Sequence, residues 1–372
     1  MIGVIGMKKW KKFPVWAKIL SVTAFILVTV GICVGCYANY LYGKMKVENK
    51  EDVKLKEEKF DKDKDSKKLE ETDPNEIKWN KTGEIKSDKE VVNILIAGEE
   101  AVHDDRGRTD AILIATMNLK QNSLKLTSIL RDTYVQIPGY SDNKINAAYH
   151  NGGMPLLEET IEENFDIEID GYILVDFDGF ESIIDKLGGV SITVSADEAS
   201  YLNRKNYITD YRNRNLYAGT INMNGDQALG YARVRYVANG DQAGDFGRTQ
   251  RHRILLSAIF ARVKDKSTTE LLEILPDMLS LVTTNISRTQ CVEYITLITG
   301  MNVQEIETFR LPIEDSYRLT RIRTMSVVLP ENMQANIDAL HDFVFGVQDI
   351  VTPESDADSQ KEVGKEGSHG EF

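Results

Sequence analysis

Residues Ile19 to Gly43 carry no formal charge, and this run decides how the rest of the chain must be disposed. As one helix, about 25 residues span roughly the 30 Å of a bilayer's hydrocarbon core. Lys8, Lys9, Lys11, Lys12 and Lys18 precede it. The preference of lysine for the cytoplasmic side puts residues 1–18 inside the cell and everything after Gly43 outside. Trp10, Trp16, Tyr37, Tyr40 and Tyr42 lie toward the two ends, where interfacial aromatics collect. A cleavable leader is the competing reading. The run is long for a leader's apolar core, however, and Cys36-Tyr37-Ala38-Asn39-Tyr40 has no small-residue cleavage site. Cys33 and Cys36 form a C-x-x-C inside the run, which fits small apolar residues of a membrane helix better than a redox pair. The expectation is a single-pass protein of the cell membrane (helix 19–43) with its C-terminal domain outside.

Beyond the span, residues 44–90 alternate lysine with acids. From Gly43 to Glu90 there are 14 lysines and 15 aspartates or glutamates. Phe60, Ile77 and Trp79 are too sparse there to build a core, so the segment reads as a solvated stalk. Residues 349–372 are polar and acidic and read as a disordered tail. Between them, residues 91–348 form the folded domain. Apolar runs at 91–97, 111–117, 124–130, 172–175 and 190–194 predict strands, with another at 305–311. Helical spacing covers 156–164, 177–187, 248–266, 268–284, 287–301 and 331–345, with Thr268 and Ser287 as N-caps. The alternation makes the domain α/β, a mixed central β-sheet flanked by helices.

The formal net charge is −13. That excludes a nucleic-acid partner, which needs a basic footprint. Against this background the chain clusters arginines: Tyr231-Ala232-Arg233-Val234-Arg235, then Gly244-Asp245-Phe246-Gly247-Arg248, with Arg251 beyond. On an extended segment Arg233 and Arg235 would share a face. Guanidinium groups match phosphate oxygens and cannot lose their charge, so the group suits one bound anion. Structural ion pairs with Asp226, Asp241 and Asp245 are the alternative. Glu100 and Asp110 flank the loop joining the first two strands and have the chemistry to share Mg2+, or to be a solvated acidic loop. Arg131 ends the third strand, either facing the same anion or paired with Asp132. Lys144 precedes Gly152-Gly153 and adds a positive charge.

These strings carry a resemblance. Asn93-Ile94-Leu95-Ile96-Ala97-Gly98, Arg108-Thr109-Asp110, Arg131-Asp132-Thr133-Tyr134-Val135-x-Ile137-Pro138-Gly139 and Lys144-Ile145-Asn146-Ala147-Ala148-Tyr149 resemble the LytR-CpsA-Psr family. So do Val175-Asp176-Phe177-x-Gly179-Phe180, Leu187-Gly188-Gly189-Val190, Gln227-Ala228-Leu229-x-Tyr231-Ala232-Arg233-x-Arg235 and Gly244-Asp245-Phe246-x-Arg248. The resemblance implies an extracellular phosphotransferase. It would move a glycopolymer, teichoic acid or capsular polysaccharide, from a polyprenyl pyrophosphate carrier to peptidoglycan. Arg108, Arg131, Arg233, Arg235 and Arg248 would hold the pyrophosphate, and Asp110 would bind magnesium. Glu100 stands where the family has a second aspartate, Val102 where it often has arginine shortly after, and His252, a candidate substrate-binding residue, where a glutamine commonly follows the late arginines. Asp245 matches the acid beside the last arginine and is the candidate for taking the acceptor hydroxyl's proton. A pyrophosphate hydrolase and a non-catalytic lipid-binding envelope sensor or scaffold are the rival functions.

Overall fold

The computed structural model describes residues 35–79, 83–99, 106–239 and 244–346. Most of the uncharged run, Glu100, Val102, Asp241 and the acidic tail lie outside the described residues. Residues 35–42 are helical, and among the described residues no helix is long and apolar enough to cross a membrane.

Thirteen strands are assigned among the described residues, and seven of them build the central sheet. In chain order the strands are β1 (Lys46–Val47), β2 (Val91–Glu99), β3 (Thr109–Asn118), β4 (Ser123–Ile129), β5 (Tyr134–Val135), β6 (Asn143–Lys144), β7 (Gly171–Asp176), β8 (Val190–Val194), β9 (Gly219–Met223), β10 (Val282–Thr284), β11 (Ile306–Leu311), β12 (Tyr317–Ile322) and β13 (Met325–Pro330). The sheet order is β1-β10-β7-β2-β3-β4-β11. It is mixed: β7 runs parallel to β2 and β11 to β4, while β3 is antiparallel to both its neighbours. Strands that are apolar along their length need cover on both faces, and these have it. Leu95, Ala97, Ile112 and Ile114 pack on one side, against α1 (Asn146–Phe165) and α8 (Met333–Phe345). Ile94, Met117, Leu124 and Ile173 face the other way, toward Cys291, Tyr294 and Leu297 of α7 (Arg288–Gly300).

The remaining helices are α2 (Phe177–Leu187), α3 (Ala196–Arg204), α4 (Gly225–Arg233), α5 (Gly244–Lys264) and α6 (Thr268–Leu279). The Asp176 carboxylate accepts from Gly179 N at 2.7 Å to start α2, and Gly188 at φ 82° ends it. Reciprocal caps start α3 (Ser195 with Glu198), α4 (Asn224 with Gln227), α6 (Ser267 with Glu270) and α7 (Ser287 with Gln290). Residues 268–284 are therefore not one helix. The cap falls on Ser267, the helix ends at Leu279, and Val282–Thr284 turns into strand β10 on the sheet. β8 does not join the central sheet either; it pairs with β9, beside α2 to α5, around Ile184, Val190, Leu202, Met223 and Leu255.

The expectation of a solvated stalk does not hold for residues 46–79. β1 pairs with β10, and Trp79, Ile77 and Phe60 pack on Tyr134, Ile322, Met325, Val327 and Leu329. Main-chain bonds tie the segment down: Asp63 N to Thr324 O at 3.0 Å, Thr72 N to Arg321 O at 2.8 Å, and Arg321 N to Glu70 O at 2.8 Å. Sparse apolar residues need no core of their own when the β12–β13 hairpin supplies one.

Candidate functional site

β2 and β3 fall out of register between Gly98 and Glu99. Gly98 faces Ala111 and Glu99 faces Thr109, so Asp110 is an extra residue. A bulge of this kind re-aims a side chain. In regular alternation Asp110 would share the face of Ile112, which packs in the main core; instead it lines a cavity with Ala111. Arg131 follows β4 in a turn, and Asp245 and Arg248 stand one helical turn apart at the start of α5.

These four side chains interlock. Arg131 Nη1 and Arg248 Nη1 both meet Asp110 Oδ1, the latter at 3.4 Å. Arg248 Nη2 grips Asp245 Oδ1, which also lies 3.5 Å from Arg131 Nε and 3.7 Å from Arg235 Nη2. Burial alone would lift the Asp110 carboxyl, but Arg248 and Arg131 outweigh it and hold it below the usual range. Burial opposes charge on Arg131, yet Asp132, Asp110 and Asp245 together keep it firmly protonated. Burial raises the Asp245 carboxyl against the pull of Arg248, and Asp132 adds to the rise. Asp245 Oδ2, Arg131 Nε and Arg248 Nε are buried without hydrogen-bond partners among the described residues. Such groups have donor and acceptor capacity to give to a ligand.

The cluster separates two apolar-walled cavities from a polar one. One, of about 90 Å³, is lined by Asp110, Arg248, Arg233 and His252 at its polar end and by Leu113, Phe180 and Leu255 beyond. A larger cavity of about 350 Å³ shares Ile96 with it and is almost wholly apolar, walled by Leu275, Leu279, Ile298 and, from the N-terminal helical segment, Leu41. On the other side, Arg131, Asp245, Arg235, Arg108, Lys144 and Asp132 line a polar cavity of about 380 Å³.

Arg233 and Arg235 are thus not side by side. Arg233 is the last residue of α4, and the chain turns extended only at Val234. Its guanidinium lies 5.0 Å from the Phe177 ring and 5.9 Å from that of Tyr207, on the apolar side, while Arg235 faces the polar cavity. The two still flank one cluster. Arg251 stands apart from it. Fully buried, it donates to Glu198 Oε1 at 2.7 and 3.1 Å, to Val234 O at 3.2 Å and to Val237 O at 2.9 Å, which fixes the loop bearing Arg235. Asp226 pairs with no arginine in that loop; it accepts from Thr209 N at 2.6 Å and Asp210 N at 3.0 Å.

His252 is half-buried at the cavity wall, and desolvation followed by Arg248 pushes its pKa down to about 3, so the ring is neutral; one nitrogen lies 3.1 Å from Ala232 O. Lys144 is enclosed by three carboxylates: Asp63 at 2.7 Å, Asp132 at 3.1 Å and Asp61 at 3.4 Å. Arg108 meets Asp61 at 3.0 Å and Asn146 Oδ1 at 3.0 Å. Of the predicted metal pair only Asp110 is described, and among the described residues no group of three histidine, cysteine or acidic side chains is placed to hold a metal. Of the rings beside Arg233, Phe177 lies in the string Val175-Asp176-Phe177-x-Gly179-Phe180, whereas Tyr207 and the acids at 61 and 63 carry no motif signal and are neighbours only in space.

The family described as the LytR_cpsA_psr family matches residues 43–341. The polyisoprenyl-teichoic acid–peptidoglycan teichoic acid transferase TagV of Bacillus subtilis (strain 168) is 34% identical over 235 residues, covering 62% of this chain and 58% of that protein. Regulatory protein MsrR of Staphylococcus aureus (strain COL) is 30% identical over 270 residues, covering 70% of this chain and 76% of MsrR. A solved structure of a LytR-CPS2A-psr family protein, YwtF (TagT), with bound octaprenyl pyrophosphate lipid superposes with a TM-score of 0.52 at 25% identity, over 69% of this chain and 91% of that one.

Proposed function

This chain belongs to the LytR_cpsA_psr family, and from that premise we propose that it is a membrane-anchored extracellular phosphotransferase, moving a glycopolymer from a polyprenyl pyrophosphate carrier to peptidoglycan. One observation carries the reading: the Asp110–Arg131–Arg248–Asp245 cluster stands between apolar cavities and a polar one. A ligand with an apolar tail, a doubly charged centre and a sugar head has the same three parts. Burying the tail is favourable by about 0.8 kcal/mol per methylene. The relative named as a teichoic acid transferase and the fold neighbour that holds octaprenyl pyrophosphate support the class of substrate.

In this reading an acceptor hydroxyl in the polar cavity attacks the phosphorus bearing the glycopolymer. A new oxygen–phosphorus bond forms, the bond to the bridging oxygen breaks, and polyprenyl phosphate leaves. Arg131 and Arg248, fixed by Asp110 and Asp245, stabilise charge on the phosphoryl oxygens and need no reorganisation to do so. Asp245, with its raised pKa and a buried oxygen lacking a partner, receives the hydroxyl proton. Arg233 holds the phosphate nearer the lipid, and Arg235 and Arg108 the one nearer the glycan.

Magnesium binds one or two carboxylates and completes its shell with water and phosphate oxygens. Asp110, 28% exposed beside the arginines, is a donor of that kind. We assign Mg2+ to Asp110 with Glu100; when bound it would neutralise charge on the diphosphate.

The test is product analysis. The full chain in detergent is given a polyprenyl diphosphate-linked glycan, with and without peptidoglycan oligomers. A glycan–peptidoglycan phosphodiester formed only with both substrates is the expected result. Release of free polymer with water as acceptor would make the protein a hydrolase, and absence of turnover would make it a lipid-binding protein.

A further inference from the structure

Arg108 reaches the polar cavity already engaged, and two of its three partners come from the N-terminal segment. Its Nη2 lies 3.0 Å from Asp61 Oδ1 and donates to Lys59 O at 3.2 Å, while Nη1 donates to Asn146 Oδ1 at 3.0 Å. The other Asp61 oxygen lies 3.4 Å from Lys144 Nζ. Asp63 completes the crossing: it accepts from Lys144 at 2.7 Å and from Ser326 N at 2.8 Å, and its own N–H donates to Thr324 O at 3.0 Å. Phe60, under the Arg323 guanidinium at 4.3 Å, holds the segment from the other side.

The charge of the cavity makes this crossing consequential. Apart from the segment, four cations (Arg108, Arg131, Lys144, Arg235) face two carboxylates, Asp132 and Asp245. That surplus attracts a dianion. Asp61 and Asp63, partly offset by Lys64, halve it. A carboxylate and a phosphate oxygen compete for the same guanidinium edge.

We propose that residues 58–66 are an ionic strap in which Asp61 acts as an internal anion, competing with the diphosphate for Arg108 and thereby setting how tightly the site takes its substrate. The proposal rests on the diphosphate reading of the site. Binding withdraws Arg108 from Asp61 and loosens the strap. The same segment leads back to the N-terminal helical segment 35–42, whose Leu41 walls the larger apolar cavity, so both ends of the ligand meet residues that precede the domain.

The test measures binding of geranylgeranyl diphosphate to the full chain in detergent by calorimetry. Asp61→Asn keeps the side chain's size and removes its charge. It is expected to bind roughly two- to fivefold more tightly than the unmutated chain. The gain is expected to vanish on an Arg108→Gln background, which separates competition for Arg108 from a general effect on packing. A folded Asp61→Asn variant that binds no more tightly, or an equal gain without Arg108, overturns the proposal. Should Asp61→Asn fail to fold, hydrogen exchange in the unmutated chain decides. The Asp63 amide is expected to exchange faster at saturating ligand, and slower or unchanged exchange sinks the strap. If the unmutated chain and Asp61→Asn both bind no diphosphate at all, the reading of the site falls and the strap with it.

Discussion

Arg233 and Arg235 are two residues apart in sequence and face opposite sides of the Asp110–Arg131–Arg248–Asp245 cluster, because α4 ends on the first and the chain is extended by the second. Each therefore addresses a different part of a ligand lying across the cluster. Replacing either with alanine removes one charge-stabilising donor, which commonly costs about 3 kcal/mol of barrier, or two to three orders of magnitude in rate. Both side chains are only partly buried, and Asp245 keeps Arg248 when Arg235 is removed, so melting temperatures should stay near that of the unmutated chain. Transfer assays on the two variants check this; a well-folded Arg233→Ala or Arg235→Ala enzyme at full rate would remove both residues from the site.

Arg251 calls for the opposite result. Its guanidinium is wholly buried on Glu198 and on the carbonyls of Val234 and Val237. Arg251→Met strands the Glu198 carboxylate, a loss of about 3–5 kcal/mol. The expected outcome is a large drop in melting temperature. Activity should fall with the folded fraction and, because the loop bearing Arg235 loses its anchors at Val234 and Val237, somewhat further per folded molecule; thermal denaturation alongside the assay separates the two.

These contrasts bear on what could be read before the structure. Strands β2, β3, β4 and β7 were legible because both sheet faces are covered, which makes their sequences apolar throughout. The arginines were legible as a group because most of them sit in two short strings. The aim of Asp110 was not, since the bulge opposite Gly98 and Glu99 depends on how two strands pair. α4 opens Gly-Asp-Gln with little apolar content, and its reciprocal Asn224–Gln227 cap is what secures it. The strap was the deepest omission. Phe60 and Trp79 pack on residues near 325, and no periodicity within a charged segment reports a partner some 250 positions away.

His252 gives a pH prediction. Its folded pKa is about 3, far below the value near 6.5 of an exposed histidine. Between those values the unfolded chain binds the proton and the folded chain does not. Stability attributable to His252 is thus full above about pH 6.5 and declines as pH falls toward 3. Glu158, pushed up to about 7 by burial and by Glu162, works with the opposite sign over about pH 4.5 to 7. A single melting curve therefore mixes the two. The difference between the unmutated chain and His252→Gln isolates the histidine: the variant should lose less melting temperature between pH 7.5 and 5. An equal loss in both would mean that the ring takes up its proton while folded.

The apolar cavity supplies the last test, since an anion site alone would be indifferent to tail length. Ala115 lines the larger cavity from β3, on the sheet face that carries Ile94 and Ile96. Ala115→Phe fills part of its roughly 350 Å³, whose lining includes Lys125 but none of the site arginines. Any stabilisation from the filled space raises the melting temperature and leaves the arginine cluster intact. A short prenyl tail reaches only the small cavity beside Arg233 and His252. Geranyl diphosphate should bind the variant and the unmutated chain alike. A longer tail must continue past Ile96 into the space the phenylalanine now occupies, so geranylgeranyl diphosphate should bind the variant about tenfold more weakly, the equivalent of losing about two buried methylenes. Calorimetry with the two diphosphates reads the difference directly. If Ala115→Phe weakens both equally the fault lies in the fold, and if it weakens neither the tail runs elsewhere than across this face of the sheet.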